Sequence, residues 1–207
     1  MVVKKGLIGL FPEFSPMRIK YKDIFDMKSF YEALHEWLLE HDWINIEEDP
    51  SKDTWETFYG ERIGQGGLKE IWIRWRPKKK AEGAELTYYL DFNFHCIALK
   101  KTEVVKEGRK FKTDKGEVEL TIKAFIEKDY EKGFQRHSIL KQILDLFNRR
   151  IYRQVLEERK KELYQETYVL QNFIKQWFKM KRYLPYEETK SFFTSEAWPS
   201  HLKEKKV

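Results

Sequence analysis

The clearest structural signal in the chain is LTYYLDFNFHCIAL, residues 86–99. Its residues alternate between a mainly apolar set and a more polar set, which is the pattern of a β-strand with one face in the core. The apolar set comprises Leu86, Tyr88, Leu90, Phe92, Phe94, Cys96 and Ala98. The opposite set comprises Thr87, Tyr89, Asp91, Asn93 and His95. The stretch therefore predicts a long strand in a sheet that is buried on one face.

Segments on both sides of this strand carry weaker signals of the same kind. Residues 54–63 and 68–77 predict two strands, which a glycine-rich turn joins in a hairpin. Residues 102–127 continue the alternation and contain two turn signals, Glu107-Gly108 and Lys115-Gly116. Together these segments predict an antiparallel meander of about five strands.

Residues 27–42, MKSFYEALHEWLLEHD, predict an amphipathic helix that precedes the sheet. Its apolar residues recur at steps of three and four, so they form one stripe. The stripe comprises Met27, Phe30, Leu34, Trp37, Leu38 and His41. Asp26 stands where a side chain can cap the first turn. His35 and His41 are six residues apart and face different sides of this helix, so they do not predict a metal site.

The C-terminal third predicts a long amphipathic helix. No glycine or proline occurs between Ser138 and Leu184, and Pro185 ends the run. Two arrangements fit this pattern: one helix with a kink near Glu157–Lys161, or two helices of which the second turns back. The charged middle lacks turn residues, which favours a long helix that docks on another chain. The candidate oligomer interface is therefore the regular stripe of Leu163, Leu170, Ile174 and Trp177.

These elements predict an α+β protein. It consists of an N-terminal helix, an antiparallel meander of about five strands and a long C-terminal helix. We expect an α+β sheet domain at 1–136, a long helical region at 137–185 and a tail at 186–207.

The distribution of charge along the chain says more about the binding partner than the net charge does. The 207-residue chain has a net charge of +6, and 36% of its residues are charged. Residues 22–56 are acidic, whereas the rest of the chain is basic. This asymmetry favours either an anionic partner or head-to-tail self-association. No apolar run approaches the ~20 residues of a membrane-spanning helix, and a single cysteine excludes an intrachain disulfide, so we expect a cytoplasmic protein.

A basic, aromatic surface is the strongest functional candidate. In EIWIRWRPKKK, residues 70–80, one face of the strand carries a tryptophan and two arginines, and three lysines follow. Such a surface can combine base stacking with phosphate contacts. Further cations between residues 100 and 112 extend it, and an arginine cluster occurs on the C-terminal helix. The candidate anion-binding residues are Trp72, Arg74, Arg76, Lys78, Lys79, Lys80, Arg149, Arg150 and Arg153.

Catalytic chemistry has less support. Asp91 and His95 share the polar face of the central strand, where the carboxylate could orient the imidazole as a general base. Cys96 points to the opposite face, so His95 cannot activate it. Neither a metal nor a cofactor motif is present, and none is predicted. Whether the Asp91–His95 face has an activity stays open, with a non-catalytic protein favoured.

The run IWIRWR…YYLDFNFHCIALKKTEVV…GEVELTIKA…RRIYR resembles uncharacterised small archaeal proteins over roughly residues 27–180. That resemblance implies no catalytic motif and no site. From the residues alone we predict a non-catalytic binding or assembly protein whose partner is an anionic polymer: RNA, DNA or a ribonucleoprotein. The alternatives are a self-assembling scaffold joined through the long helix as a homo-oligomer or with a protein partner, and a peripheral protein on a membrane surface.

Overall fold

The computed structural model describes residues 6–12, 15–46, 55–106, 109–136 and 138–180. The strands are β1 (Ile8–Gly9), β2 (Met17–Phe25), β3 (Glu56–Ile63), β4 (Lys69–Trp75), β5 (Lys78–Lys80), β6 (Leu86–Lys106) and β7 (Arg109–Lys128). The helices are α1 (Met27–Glu40), α2 (Tyr130–Gln135), α3 (Ser138–Leu146) and α4 (Arg153–Trp177). A π-helical turn, Phe147–Ile151, separates α3 from α4. The predicted tail at 186–207 lies outside the described residues.

The protein is α+β, and its described residues form one antiparallel sheet of seven strands. The order is β1-β7-β6-β4-β3, while β2 also pairs with β7 and β5 with β6. The prediction of about five strands was too low for two reasons. Strands β1 and β2 come before α1, so the helix does not open the fold. Pro77, which lacks an N–H to donate, separates β5 from β4.

The centre of the sheet is the hairpin of β6 and β7, and it contains a β-bulge. Ile97 pairs with Glu117 and Lys100 with Lys115, so two residues of β6 oppose Gly116 alone. Ala98 takes a φ of 53° there, and Leu99, not Ala98, points into the core. The turn predicted at Lys115-Gly116 is therefore wrong, because β7 continues through it.

Gly116 is required by the close approach of the two strands at this bulge. A Cβ atom at this position would lie 3.0 Å from both the Ile97 carbonyl oxygen and the Leu99 Cα. Both contacts are with backbone, which cannot move aside as a side chain could. The glycine is thus explained by packing against the bulge and not by a chain reversal.

Helices α1 and α4 cover one face of the sheet, which we call the inner face; the other is the outer face. Phe30 of α1 contacts Phe94 of the sheet and Trp177 of α4, with ring centroids 6.4 and 5.0 Å apart. The Trp43 indole after α1 donates a hydrogen bond of 2.8 Å to Glu166 of α4. Both helices therefore pack on the sheet and on each other in a single core.

The structure corrects the predicted oligomer interface. Leu163, Leu170 and Ile174 are fully buried against the chain's own sheet, and Trp177 is partly buried beside them. The missing turn residues near 157–162 are irrelevant, because the chain reverses earlier, between the end of β7 and the start of α4. An intramolecular partner thus explains the regular stripe. The oligomeric state and the division into domains stay predictions.

The predicted kink near Glu157–Lys161 is also absent, since α4 runs unbroken from Arg153 to Trp177. The charged residues there pair along the helix surface: Lys160 lies 2.8 Å from Glu157, and Arg159 lies 2.5 Å from Glu162. Such pairs stabilise an exposed helix modestly. The irregularity lies instead at the π-helical turn, where Phe147 packs against Tyr130 of α2.

We predict that Leu170→Ala and Ile174→Ala each lower the free energy of unfolding by about 2–5 kcal/mol, because each empties a fully buried site. Urea unfolding followed by circular dichroism measures the effect. Val169→Ala, on the exposed side of the same helix, is the matched control and should change stability by less than about 0.5 kcal/mol. Variants that keep full stability but sediment as smaller particles would contradict the intramolecular packing.

A second prediction concerns the start of α1. The Asp26 carboxylate accepts hydrogen bonds from the Ser29 hydroxyl and from the amides of Lys28 and Ser29. The Ser29 hydroxyl contributes most to lowering the pKa of Asp26 below its ordinary value. The charged form therefore stabilises the folded state at neutral pH, and this stabilisation is lost as the pH falls through that pKa.

Asp26→Ala should accordingly cost about 1 kcal/mol at neutral pH. The cost should shrink below about pH 4, where the carboxylate is protonated in the unfolded chain. Unfolding curves at several pH values check this. Asp23→Ala, which removes an exposed carboxylate from β2, should give a much smaller effect. A penalty for Asp26→Ala that is unchanged in acid would be inconsistent with capping by the carboxylate.

Candidate nucleic-acid interface

The outer face of the sheet is polar, and much of its charge is already paired. Arg18 and Lys20 of β2 contact Glu119 and Glu117 of β7 at 3.1 and 2.6 Å. These are cross-strand pairs at exposed positions, where each contributes little to stability. They also reduce the number of cations that are free to meet an anionic partner. The predicted anion-binding residues must therefore be judged one at a time.

Arg76 does not belong to the predicted site, because it is paired with the carboxylate of Asp91. Its Nε and Nη2 atoms each donate a 2.5 Å hydrogen bond to Asp91, which is only 2% exposed. The Asp91 hydrogen bond is the largest cause of the raised pKa of Arg76. A bidentate pair of this kind satisfies both groups. Arg76 is thus a structural residue, and the sequence could not reveal this because the partner lies fifteen residues away.

The three lysines of β5 do not act as one cluster. Lys79 points to the inner face, where its Nζ lies 3.0 Å from Glu166 and above the Trp43 ring. Lys78 and Lys80 pair with Tyr89 and Thr87, whose side chains lie on the outer face. The alternation of side chains that places Trp72 and Arg74 on the outer face therefore places Lys79 on the inner face.

Trp72 belongs to an aromatic group on the outer face. The rings of Trp72 and His95 are nearly parallel, with an interplanar angle of 13° and centroids 5.4 Å apart. Phe58 of β3, which is 52% exposed, lies on the same face, because it pairs with Arg74. We call Phe58, Trp72 and His95 the aromatic platform. It extends from the edge strand β3 across β4 to β6, with Phe58 exposed and Trp72 and His95 half-buried.

Gly60 makes room for this platform. It pairs with Trp72 across β3 and β4, and an added Cβ would lie 3.2 Å from the Phe58 ring and 3.8 Å from the Trp72 ring. The Phe58 ring therefore occupies the space above the glycine. Glu70 fixes the other side of the platform, since its carboxylate lies 2.9 Å from His95 Nε2.

Arg74 is the cation of the predicted set that stands closest to these rings. It is exposed, its Nε donates a 2.8 Å hydrogen bond to Asn93, and its guanidinium carbon lies 6.0 Å from the Phe58 ring centroid. The Asn93 bond orients the guanidinium but does not neutralise it. The platform and Arg74 together line a shallow cavity of about 320 Å³.

The end of the β6–β7 hairpin forms a second basic element. Beyond the bulge, Lys100–Lys106 pair with Arg109–Lys115; we call these residues the ribbon, which is two-stranded except at Asp114 and Lys115, where β2 also pairs. The ribbon's lysines at 100, 101, 110, 112 and 115 are exposed. Val105 and Phe111 are exposed as well. A ribbon of this kind offers a chain of phosphates several cations on a narrow support.

The arginine cluster lies at the other end of the hairpin. Arg149, Arg150 and Arg153 are exposed on the π-helical turn and the start of α4. That turn packs against Tyr130, which follows the end of β7, whereas the ribbon is where β6 ends and β7 begins. The ribbon and the arginine cluster are therefore separate basic surfaces.

The geometry of the outer face does not support the catalytic hypothesis for Asp91 and His95. His95 is oriented by Glu70, and Asp91 is bound to Arg76, so the two residues serve different partners. Burial raises the pKa of the Cys96 thiol to about 12, and its sulfur lies 3.9 Å from Met27 Sδ on the inner face. At neutral pH the thiol is protonated, which makes it a poor nucleophile.

Three residues of this site escaped the sequence analysis: Phe58, Gly60 and Glu70. Glu70 lies on β4 with Trp72 and Arg74, so strand alternation alone could have placed it on their face. Strand alternation assigns faces within β3, but the faces of β3 and β4 can be matched only when their register is known. A bulge between Glu56 and Phe58 shifts that register. No local signal in the sequence marks this bulge.

Comparison of the chain with models of protein families, with curated proteins and with solved structures finds no match. The resemblance to small archaeal proteins therefore stays a prediction. Function has to be inferred from the site itself.

The Arg76–Asp91 pair yields a third prediction. Arg76→Met should destabilise the fold by about 3 kcal/mol or more, because it leaves the buried Asp91 carboxylate without its partner. The double variant Arg76→Met/Asp91→Leu should recover most of this loss. Denaturant unfolding of both variants measures it. If Arg76→Met alone were as stable as the wild type, the pair with Asp91 would not be structural, and Arg76 would again count among the cations available to the interface.

Proposed function

We propose that the protein binds single-stranded RNA or DNA on the outer face of its sheet. The observation that carries this proposal is the aromatic platform beside the exposed Arg74. Bases stack on exposed aromatic rings, and a guanidinium next to such rings can contact the adjoining phosphate. Stacking of this kind needs unpaired bases, since the rings of a duplex are occupied by their neighbours.

The charge of the chain supports the same partner. Its net charge is +6, and the ribbon adds exposed lysines that can meet phosphates away from the platform. Phosphate contacts supply sequence-independent affinity, whereas the stacked bases fix the strand's position. Arg76 and Lys79 are excluded from the contact set because Asp91 and Glu166 hold them.

Two observations weigh against the alternatives. A scaffold joined through the long helix would use a stripe that is buried beneath the sheet. A membrane surface would meet aromatic residues near the end of α4, of which Phe173, Trp177 and Phe178 pack against the core. No helix within the described residues is long and apolar enough to cross a bilayer. We therefore advance a single function.

Fluorescence anisotropy with labelled single-stranded oligonucleotides and matched duplexes tests the proposal. We expect single strands to bind more tightly than duplexes, and affinity to fall steeply between about 50 and 200 mM salt. Phe58→Ala should weaken binding by about tenfold, because one stacked base contributes roughly 1–3 kcal/mol. Arg74→Gln should weaken binding and reduce its salt dependence.

Matched controls come from the other side of the molecule. Tyr168→Ala removes an exposed aromatic ring from α4, and Arg136→Gln removes an exposed cation at the end of α2. Neither should change affinity. Equal losses from the control and platform variants would indicate non-specific attraction, and no binding of any single strand at low salt would refute the proposal.

A further inference from the structure

The inner face contains an open cleft of about 660 Å³ near the start of α1. Volumes of this size are typical of sites for small organic molecules. Its walls are apolar or aromatic: Met27, Tyr31, Tyr59, Ile71, Ile73 and Leu99. The cleft is separate from the aromatic platform, because Tyr59 and Ile71 alternate with Gly60 and Trp72 and so face the opposite way.

The cleft exists because the helix is shorter than the sheet beneath it. Helix α1 begins at Met27, next to Asp114 of β7, while the β3–β4 hairpin continues past this level to its turn at Gln65–Gly67. The bulge in β6 turns Leu99 inward and makes it part of the floor. Among the described residues, no helix lies over this end of the inner face.

The polar groups at the bottom of the cleft already have partners. The Tyr31 hydroxyl donates to Glu56 and accepts a 2.9 Å hydrogen bond from the Trp75 indole. Glu61 accepts from Tyr59 at 2.7 Å and pairs with Lys69. Within the part of the chain that the structure describes, the floor therefore offers apolar contact and paired polar groups, so it favours an apolar body.

The rim is different, because it carries four lysines: Lys28, Lys69, Lys100 and Lys101. Lys69 and Lys101 each neutralise one carboxylate, Glu61 and Asp114, at 2.7 and 2.8 Å. Lys100 is exposed and has no ion pair among the described residues, and Lys28 makes only a 3.5 Å contact with the exposed Glu32. Two amines thus remain at the mouth to attract a negative group.

The first turn of α1 cannot serve as the anion site. The Met27 amide donates to Asp114, and the amides of Lys28 and Ser29 donate to Asp26. These donors are the ones a helix N-terminus would offer to an anion. A negative group at the cleft must therefore bind the lysine side chains.

From this arrangement we propose that the cleft binds a free amphipathic anion, with an apolar ring system or chain on the floor and a carboxylate-like head at Lys28 and Lys100. Charge complementarity and the apolar floor select this chemical class. The cleft lies on the face opposite to the aromatic platform, and of the ribbon lysines only Lys100 and Lys101 also border it.

The test uses 8-anilinonaphthalene-1-sulfonate, whose apolar rings carry an anionic head, and N-phenyl-1-naphthylamine, which has the same rings without the head. We expect saturable binding of one anilinonaphthalene sulfonate per folded chain. The uncharged analogue should bind about tenfold more weakly, because it loses the charge-assisted contacts. Oleate should displace the dye.

Substitutions in the cleft test whether the dye binds there. Ile71→Glu places a charge on the half-buried floor and should abolish binding, and Lys100→Glu should weaken it about tenfold. Tyr59→Ala, at an exposed wall position, should weaken binding. Cooperative thermal unfolding, recorded for each variant, separates such an effect from misfolding. Lys112→Glu, an exposed charge reversal on the ribbon, is the matched control and should leave dye affinity unchanged.

Each result bears on one proposal. Equal affinity for the charged and uncharged dyes, or dye binding that survives Ile71→Glu in a folded variant, would overturn the cleft assignment. Displacement of the uncharged dye by a single-stranded oligonucleotide would also overturn it, since the cleft floor would then belong to the polymer site. Failure of dye binding would leave the anisotropy results untouched, so the two proposals fail separately.

Discussion

The constraint on which the structure depends is the need to bury the inner face of the β6–β7 hairpin. That face carries large apolar side chains over most of its length, among them Phe92, Phe94 and Ile122, which are nearly or fully buried. A sheet with one apolar face is unstable in water until another layer covers it. Helices α1 and α4 supply this layer, so the direction of the C-terminal helix follows from the strands that precede it. The outer face, freed from packing, is the surface on which charges and rings can serve a partner.

Much of this fold could be predicted from local pattern. The alternation in 86–99 identified the central strand, and the spacing of Phe30, Leu34 and Trp37 identified the buried side of the helix that became α1. The antiparallel pairing of successive strands was predicted correctly, and the failures concern contacts between particular residues that are distant in the sequence. The stripe at Leu163 and Leu170 was recognised as buried, but periodicity cannot say whether the covering surface belongs to the same chain.

The candidate site shows the same division between local and long-range information. The sequence placed Trp72 and Arg74 on one face correctly, because two residues of one strand obey strand geometry alone. It misjudged Arg76 and Lys79, because their carboxylate partners come from β6 and α4. Charge counts overestimate a basic surface whenever the fold supplies internal counter-ions. Phe58 was missed for the complementary reason: a bulge decides which of its neighbours it meets.

The bulge opposite Gly116 has a consequence for how the chain can vary. On one side of it, β6 must alternate in step with the core, and a charged residue in the wrong place would be buried. On the other side, the extra residue has broken that alternation, and beyond Thr113 and the buried Asp114, which bond to Phe25 and Met27, the ribbon does not follow the core's pattern. The hairpin is thus divided into a part whose composition is dictated by packing and a part that is free to change. Substitutions that alter charge or length in the outer part of the ribbon can accumulate there without loss of the folded body.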